Sequence, residues 1–429
     1  MQYTKVVILG GGFGGINAAK TLGNTKFDVW LIDKTNHHLF QPLLYQVASA
    51  ALSPGDIAVP IREILSSYEN ITVLMGSVEK IDKVNREIHL KNGDKISYEY
   101  LIVALGARHA YFGKDHWETN APGLKTLSDA LKVRERILLS FEKAERCDSI
   151  SDAKRYLNFV IIGGGPTGVE MAGAIAEIAY ETMLKNFRRI DTTKTNIYLI
   201  EASSQILAAY PEKLAMKAQK YLEQYGVKVI TGKRVTNVTK EGVTVEDMII
   251  PTENVLWAAG NQASPILQTL DCPLDRQGRV IVGPDLSIPG HPEVFVIGDA
   301  ACAMDKNGKP LPGLAPAAVQ EGRYVAHIIR KRLPLEERPP FRYLDKGTMA
   351  TVGKTKAVGM FGKLQFSGFI AWLGWCFVHI LYLIGFRNRL TVLTQWLFSY
   401  FSSQRGARLI NRSIEDDLPP PLQKKHQEM

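Results

Sequence analysis

Two glycine-rich turns of the same design hold the residues best suited to chemistry in this chain. Each turn follows an apolar, β-branched run and precedes a helix-forming run, in VVILGGGFGGINAAK and in FVIIGGGPTGVEMAG. In chain order, the glycines of the two G-x-G-x-x-G patterns are Gly10, Gly12, Gly15, Gly163, Gly165 and Gly168. One glycine permits the tight bend, the next lets the backbone approach a pyrophosphate, and the third lets helix and strand pack closely. Because the helix start then faces negative charge, the two turns predict two bound dinucleotides.

An acidic residue ends the second strand after each turn. Asp33 ends the strand in FDVWLIDK, and Glu201 ends the strand in TNIYLIEA. An acid at this position accepts hydrogen bonds from the ribose hydroxyls of a dinucleotide. Since a carboxylate repels a 2′-phosphate, Glu201 favours NAD(H) over NADP(H) at the second site. The alternative is that both acids are only polar ends of strands.

A third candidate follows another apolar strand, in VFVIGDAA. There Asp299, directly after Gly298, could bond a ribityl hydroxyl while the next segment begins opposite a phosphate. The alternative is that Asp299 caps that segment. Beside two nucleotide turns, the pattern favours a flavin.

These sites require strands that end in small residues at one edge of a sheet. The runs YEYLIVALGAR and ENVLWAAG both end in this way, which indicates that the chain leaves the first domain near residue 110 and re-enters it near residue 260. We therefore predict an α/β fold with two Rossmann-like dinucleotide-binding domains, the first discontinuous, and a C-terminal membrane-associating helical segment. The predicted FAD-binding domain comprises 1–112 and 260–335, the NADH-binding domain 113–259, the C-terminal region 336–414, and a disordered tail 415–429.

Composition narrows the class of protein. The 429 residues are 45% hydrophobic and 22% charged, with a net charge of +9, which fits either a solvated surface or attraction to anionic groups. No nucleic-acid motif is present, so no nucleic-acid partner is expected. The first strand begins by Val6, so we expect no presequence. The four cysteines form no C-x-x-C pair, which argues against a metal cluster and against a flavin–disulfide relay; no metal is expected.

The C-terminal part carries two apolar segments. Residues 366–386 contain no formal charge and reach the length of a membrane span, but glycines and His379 dilute their hydrophobicity. In the next segment, six apolar residues are predicted to share one helical face: Val392, Leu393, Trp396, Leu397, Tyr400 and Phe401. The arginines flanking this helix are Arg387, Arg389, Arg405, Arg408 and Arg412. This pattern favours a helix lying on an anionic membrane surface, with a core or dimer-interface helix and a true span as alternatives. His379 is expected to be structural.

At this point a family resemblance is clear. The order GGGFGG, Asp33, VALGA, GGGPTG, Glu201, WAAG and VIGDAA resembles the two-dinucleotide-fold flavoprotein reductases. The loop NHHLFQPLLYQVASAALSPGDIAVPIR and the segments LAPAAVQEGRYVA and LYLIGFRNRL resemble the type II, non-pumping NADH:quinone oxidoreductases, over nearly the whole chain. The resemblance implies FAD at the first site, NADH as the substrate at the second, and a membrane quinone as electron acceptor.

The resemblance also implies roles for individual residues. The FAD residues are Gly10, Gly12, Phe13, Gly14, Gly15, Asp33, Lys34, Gln46, Val78, Ala104, Gly106, Gly298, Asp299 and Ala315. The NADH residues are Gly163, Gly165, Thr167, Gly168, Glu201, Ala202 and Gly260. The quinone residues are Gln46, Gln320 and Tyr382, and the catalytic residues are Glu170 and Gln320.

Two of these assignments have a simpler alternative. Glu170 could merely suit the positive end of its helix, and Gln320 could be a solvent-facing polar residue. The family segment often reads A-Q-x-A-x-Q-[QE]-G, and Pro316 stands here where its first Gln would be. Any quinone contact from this segment is therefore assigned to Gln320.

The expected function is two-electron transfer from NADH through FAD to a membrane quinone at the cytoplasmic face of the inner membrane, bound peripherally to phospholipid. Proton pumping is not expected, because the apolar stretch contains no carboxylate. Alternatives are a sulfide:quinone oxidoreductase, which needs a redox cysteine pair, and a non-catalytic NADH-sensing flavoprotein. A homodimer is left open.

Overall fold

The structure is a computed structural model that describes residues 3–410. The chain forms two compact units. The first comprises 3–39, Ala58–Arg108 and Asn261–Lys346, and the second comprises Phe40–Ile57, His109–Gly260 and 347–410. The predicted tail 415–429 lies outside the described residues.

The strands, in chain order, are β1 (Thr4–Leu9), β2 (Phe27–Asp33), β3 (His37–Leu39), β4 (Ala58–Pro60), β5 (Ile71–Met75), β6 (Val78–Asp82), β7 (Glu87–Leu90), β8 (Lys95–Ser97), β9 (Tyr100–Val103), β10 (Ala107–His109), β11 (Asn158–Ile162), β12 (Asn196–Glu201), β13 (Val227–Thr231), β14 (Val235–Val238), β15 (Gly242–Val245), β16 (Met248–Pro251), β17 (Asn254–Trp257), β18 (Asn261–Ala263), β19 (Val280–Ile281), β20 (Ser287–Ile288), β21 (His291–Val296), β22 (Ala301–Cys302), β23 (Thr348–Val352), β24 (Lys356–Phe361) and β25 (Leu364–Gly368). The α-helices are α1 (Phe13–Leu22), α2 (Leu44–Ala48), α3 (Pro54–Ile57), α4 (Ile61–Leu65), α5 (Leu127–Glu145), α6 (Ile150–Leu157), α7 (Pro166–Glu177), α8 (Glu212–Gln224), α9 (Ala315–Lys331), α10 (Phe369–Tyr382) and α11 (Phe386–Ser402).

The first unit is built on a six-stranded sheet in the order β20-β21-β9-β1-β2-β5. All neighbouring strands run parallel except β20 and β21. Side chains of β1 alternate between two buried clusters, with Val6 and Ile8 in one and Val7 and Leu9 in the other. This two-sided burial explains why the strand is a continuous apolar run.

The second unit contains a four-stranded parallel sheet in the order β13-β12-β11-β17. All five residues of β11 are buried. Helix α5 begins at a capping box, in which Thr126 and Asp129 each satisfy the other's backbone N–H. The two units thus each contain the parallel sheet expected of a Rossmann-like fold.

The C-terminal residues join the second unit as the antiparallel sheet β23-β24-β25 followed by α10 and α11. The apolar run 366–386 is divided: its start belongs to β25, and α10 contains 14 residues. Gly385, with a φ of +90°, turns the chain between the two helices. Among the described residues, no helix is both long enough and apolar enough to cross a membrane.

Apart from shifts of one to four residues, these units differ from the predicted boundaries in two places. Residues 40–57 group with the second unit, although the sequence placed them in the FAD-binding domain. The predicted C-terminal region is also divided, because residues up to Lys346 stay with the first unit.

Candidate active site

The first glycine turn has the geometry that a pyrophosphate-binding loop requires. Gly10 has a φ of +105°, and a Cβ there would lie 2.3 Å from the carbonyl oxygen of Ala104. A Cβ at Gly15 would lie 1.9 Å from the carbonyl oxygen of Gly10. By contrast, a Cβ at Gly12 would meet no protein atom within 4 Å. The turn is therefore closed on its inner side and open at the start of α1, where a phosphate would lie.

The carboxylate of Asp33 is tied to this turn. Its Oδ2 accepts a hydrogen bond from the backbone N–H of Gly11 at 2.6 Å, and its Oδ1 accepts two from Thr35 at 2.7 Å each. Behind the loop, His38 is buried and its Nδ1 lies 2.8 Å from the carbonyl oxygen of Gly11. Burial lowers the pKa of His38, so the ring supports the loop as a neutral group.

The parallel register brings the remaining first-site residues to one edge of the sheet. Leu9 lies beside both Ile32 and Val103, and Val103 lies beside Val296. The residues that follow or adjoin these strand ends, or begin the nearby helices, are Phe13, Gly14, Lys34, Ala104, Gly106, Gly298, Asp299 and Ala315. Val78 is buried at the start of β6. The sheet thus collects the predicted FAD residues of the first unit.

Glu321 is a further first-site residue for which the sequence predicts no role. Its carboxylate is 3% exposed and accepts a hydrogen bond from the backbone N–H of Gly298. Burial raises its pKa to about 7. Its only signal in the sequence is that Gln320, Glu321 and Gly322 match the last three positions of the family segment A-Q-x-A-x-Q-[QE]-G.

The second glycine turn repeats the first almost atom for atom. Gly163 has a φ of +109°, and a Cβ there would lie 2.7 Å from backbone atoms of Ala258. A Cβ at Gly168 would lie 1.9 Å from the carbonyl oxygen of Gly163, whereas one at Gly165 would meet nothing within 4 Å. The two G-x-G-x-x-G segments therefore build loops with the same close contacts and the same open side.

The acid of the second turn is also equivalent. Glu201 Oε2 accepts from the backbone N–H of Gly164 at 2.6 Å, and Oε1 accepts from that of Ser203 at 2.7 Å. Thr167 lies in the first turn of α7, Ala202 follows β12 and is exposed, and Gly260 follows β17 with a φ of +75°. These positions surround the open side of the turn.

A pocket in the second unit brings Glu170 and Gln46 together. Five aromatic side chains line it, together with three charged side chains besides Glu170. Its lining residues are Tyr45, Gln46, Ser49, Ala51, Glu170, Ala174, Glu177, Gly353, Lys354, Trp372, Trp375, Cys376, Gln395, Trp396, Ser399, Tyr400 and Arg405. The loop up to residue 51 and the segment 366–386 both contribute to this lining.

Glu170 is a carboxyl group of this pocket whose protonation state is altered by burial. It shares one face of α7 with Ala174 and Glu177. Burial raises the pKa of Glu170 to about 8, although the hydrogen bond from the backbone N–H of Thr351 opposes the shift. The carboxyl group therefore holds its proton at neutral pH and can deliver it to a bound substrate.

An ion pair closes the base of the same pocket. Arg405 is 7% exposed, and its guanidinium lies 2.6 Å from Glu177 and donates to the carbonyl oxygen of Ser49 at 2.7 Å. Lys354 donates through Nζ to Glu181 at 2.6 Å and to Ser403 Oγ at 2.7 Å. These contacts hold the end of α11 against the body of the unit.

The arrangement corrects the predicted role of the arginines. Arg405 is buried in the ion pair, Arg389 donates to the carbonyl oxygen of Leu383, and Arg408 packs against Met183 and Gln404. Arg387 is exposed, and Arg412 lies outside the described residues. Arg405 is thus unavailable to anionic lipid, because a buried carboxylate needs it.

The predicted single apolar face of α11 is also wrong. Val392 is fully buried and Trp396 lines the pocket, whereas Leu393, Leu397 and Phe401 are at least half exposed. The helix has an inner apolar side against the unit and an outer apolar side.

Comparison with known proteins places this site in a family. A family model described as pyridine nucleotide-disulphide oxidoreductase matches residues 4–322. A type II NADH:quinone oxidoreductase of Mycobacterium tuberculosis is 44% identical over 94% of this chain and 89% of its own length. The chain belongs to the type II NADH:quinone oxidoreductases.

Other members and neighbours agree with this placement. A second type II NADH:quinone oxidoreductase of M. tuberculosis is 42% identical over 96% of this chain and 90% of its own length. The structure of NDH2 from Plasmodium falciparum in complex with NADH matches with a TM-score of 0.88 at 20% identity, covering 95% of this chain and all of that one. A sulfide:quinone oxidoreductase of Aquifex aeolicus gives a TM-score of 0.72 at 18% identity, covering 93% and 95% of the two chains. The two structures show that the fold is shared.

Within this type II NADH:quinone oxidoreductase, two predicted quinone residues are not among the residues that line the pocket. Gln320 belongs to the first unit, and its amide exchanges two hydrogen bonds with the backbone of Leu344, at 3.0 and 2.9 Å, and donates to the carbonyl oxygen of Pro316. Tyr382 ends α10 and is 42% exposed. His379 stacks on Trp375 and bonds its carbonyl oxygen, and burial lowers its pKa to about 4, so it is neutral.

Proposed function

We propose that this chain is a membrane-associated flavoenzyme that transfers two electrons from NADH through FAD to a membrane quinone, without pumping protons. The observation that carries the proposal is the aromatic pocket around Glu170, on the same helix that begins at the second glycine turn. Helices α10 and α11 form part of its wall, and both present apolar side chains on their outer sides. A lipid-soluble acceptor suits such a pocket.

The first site fits an FAD. Its turn leaves open space at Gly12, helix α1 begins there with its backbone N–H groups directed toward the turn, and Asp33 stands where a ribose would bind. When bound there, FAD supplies the hydride-accepting and two-electron-donating chemistry that no side chain of this protein has. The protein binds and orients the FAD. Gly298 and Ala315, at the same edge of the sheet, are proposed to contribute to this binding.

The second site is proposed to take NADH. In this proposal Gly165 leaves space for the pyrophosphate, Thr167 lies at the start of α7, and Glu201 accepts hydrogen bonds from the ribose hydroxyls. The Glu201 carboxylate would face the 2′-phosphate of NADPH, so we expect NADH to be the better substrate.

Reduction of a quinone by two electrons also consumes two protons. Glu170 holds a proton at neutral pH and lines the pocket, so we propose that it donates one of them. Gln46 lines the same pocket, and Gln320 and Tyr382 are kept as proposed quinone contacts on the family resemblance.

Filling the pocket tests its role. In the variant Ser399→Phe, a ring on α11 enters the lining, so quinone turnover should fall on the order of tenfold while a water-soluble acceptor such as ferricyanide is reduced as before. The matched control is Ser402→Phe, on the same helix outside the lining. Equal quinone turnover in Ser399→Phe and Ser402→Phe would show that quinone is not reduced in this pocket. Steady-state assays with a short-chain quinone measure this.

The outer surface of α10 and α11 is proposed to bind a phospholipid membrane. Their apolar side chains recur at helical spacing and are between 48% and 81% exposed. They are Phe369, Ile370, Leu373, Phe377 and Leu381 on α10, and Phe386, Leu390, Leu393, Leu397 and Phe401 on α11. A monotopic contact at the cytoplasmic face of the cell membrane, where NADH is supplied, accounts for this surface.

Replacing part of this surface should release the protein from vesicles. For Phe377→Asp combined with Phe401→Asp, binding to vesicles of mixed neutral and anionic phospholipid should weaken on the order of a thousandfold, because each of the two buried phenyl rings contributes about 2 kcal/mol. Flotation measures the binding. The control is Ile249→Asp, an equally exposed apolar residue on β16. Unchanged binding, or loss of a dimer in its place, would show that this face meets something other than lipid.

A further inference from the structure

A continuous chain of hydrogen bonds runs from α11 into the pocket. The indole N–H of Trp396 donates to Gln46 Oε1 at 2.7 Å, and Gln46 Nε2 donates to the hydroxyl oxygen of Tyr45 at 3.0 Å. The Tyr45 hydroxyl lies 3.1 Å from Thr351 Oγ1, and the backbone N–H of Thr351 bonds Glu170. The residues at the two ends of this chain are far apart in sequence, so the sequence shows no sign of it.

The chemistry of Trp396 fixes the direction of this chain. An indole N–H can only donate, so the atom of Gln46 that faces it must be the amide oxygen. The amide NH₂ group then faces Tyr45, whose oxygen must accept. Tyr45 is thereby left to direct its own proton away from Gln46, toward Thr351 or into the pocket. Without the indole N–H, the Gln46 amide could rotate and reverse this order.

We infer that Trp396 is a positioning residue for quinone reduction, which sets the direction of the Tyr45 hydroxyl through Gln46. The inference rests on the proposed function, since it concerns the same pocket. Tyr45 is buried, so its oxygen has few other partners to restore the order once it is lost.

The position of Trp396 also ties the site to the outer helix. On α11, Leu393 and Leu397 are at least half exposed on either side of Trp396, which reaches inward to Gln46. The element proposed to lie on the membrane is therefore the element that orders the pocket. A shift of α11 away from Gln46 would break the same hydrogen bond that a Trp396 substitution removes.

Removing the indole N–H while keeping an aromatic ring at the same position tests the inference. Trp396→Phe should lower kcat with a short-chain quinone on the order of tenfold, while the rate at which NADH bleaches the flavin and the KM for NADH stay unchanged. The double variant Tyr45→Phe with Trp396→Phe should be no slower than Tyr45→Phe alone, because Trp396 acts only through Tyr45. Trp30→Phe is the control, since it removes an indole N–H that bonds Asp28 in the first unit.

A second variant, Gln46→Glu, can reverse the direction of the hydrogen bonds while keeping a side chain of nearly the same shape. In Gln46→Glu, the protonated carboxyl group can still accept from Trp396 and donate to Tyr45, whereas the carboxylate can only accept. Quinone turnover relative to the parent should therefore be highest at acidic pH and fall as the pH rises through the pKa of the new carboxyl group. A role in packing alone predicts a ratio that does not change with pH.

Because turnover of Gln46→Glu is divided by turnover of the parent enzyme at each pH, the titration of other groups in the pocket cancels from this ratio. The other titratable side chains of the pocket are Tyr45, Glu170, Glu177, Lys354, Cys376, Tyr400 and Arg405. Turnover of Trp396→Phe equal to the parent, or a flat ratio for Gln46→Glu, would overturn the inference. A parent that is reduced by NADH but never reoxidised by quinone would instead overturn the proposed function.

Discussion

Glu170→Gln is expected to lower quinone turnover about a hundredfold, the usual contribution of a positioned proton donor. The amide fits the same space in the pocket but has no acidic proton. Bound FAD and the rate of flavin reduction by NADH should be unchanged, because the substitution alters neither the first glycine turn, proposed to hold FAD, nor the second, proposed to hold NADH. Stopped-flow absorbance and steady-state rates measure the two halves separately. The control is Glu223→Gln, an exposed carboxylate on α8.

The raised pKa of Glu170 gives this prediction a pH dependence. Below about pH 8 the folded protein holds the proton, and above it the donor is lost, so parent quinone turnover should fall on the alkaline side and the Gln variant should not share that limb. Between the ordinary value of 4.5 and about 8, the folded state binds a proton that the unfolded state releases. The free energy of unfolding contributed by Glu170 therefore falls as pH rises through this window, and the variant gains stability relative to the parent. Unchanged kinetics at every pH would remove Glu170 from the mechanism.

Gly165→Ala is expected to raise the KM for NADH at least tenfold with little loss of stability. Its backbone, with φ −71° and ψ −179°, suits any residue, and the new methyl group meets no protein atom within 4 Å. The methyl group does stand where the pyrophosphate must approach. FAD content should be normal, and Gly12→Ala should give the converse, with weakened FAD retention.

Two further glycine-to-alanine substitutions serve as controls for Gly165→Ala. Gly55→Ala, which also has open space and no positive φ, should behave as the parent. Gly168→Ala should fail to fold well, because its Cβ would lie 1.9 Å from a backbone oxygen. Titration of NADH by steady-state kinetics, with thermal unfolding alongside, distinguishes the cases. A normal KM in Gly165→Ala would place the pyrophosphate elsewhere.

The nucleotide turns could be predicted from the sequence because their constraints are local. A glycine with positive φ, a second one against a backbone oxygen and an acid one strand away are all set by short segments, as Gly10, Gly15 and Asp33 show. The fold class follows from the same repeated units.

The pocket could be predicted only in part, because its contacts join distant segments. Gln46 and Trp396 meet through a side-chain hydrogen bond across most of the chain, and no spacing rule indicates it. Arg405 belonged to a pattern typical of lipid-facing arginines, yet it pairs with buried Glu177. Hydropathy alone also predicted one apolar segment where the structure has β25 and α10. The two elements are separated at Gly368 by its φ of +83°, and hydropathy does not indicate backbone geometry.

The most direct test of the whole account is an anaerobic experiment on the purified protein with its bound flavin. NADH is added and the visible flavin absorbance is followed, and a short-chain quinone is then added in excess. The account predicts rapid bleaching by NADH, much slower bleaching by NADPH because of Glu201, and recovery of the oxidised spectrum by quinone within the time of one turnover. A flavin that NADH reduces and quinone leaves reduced would contradict it.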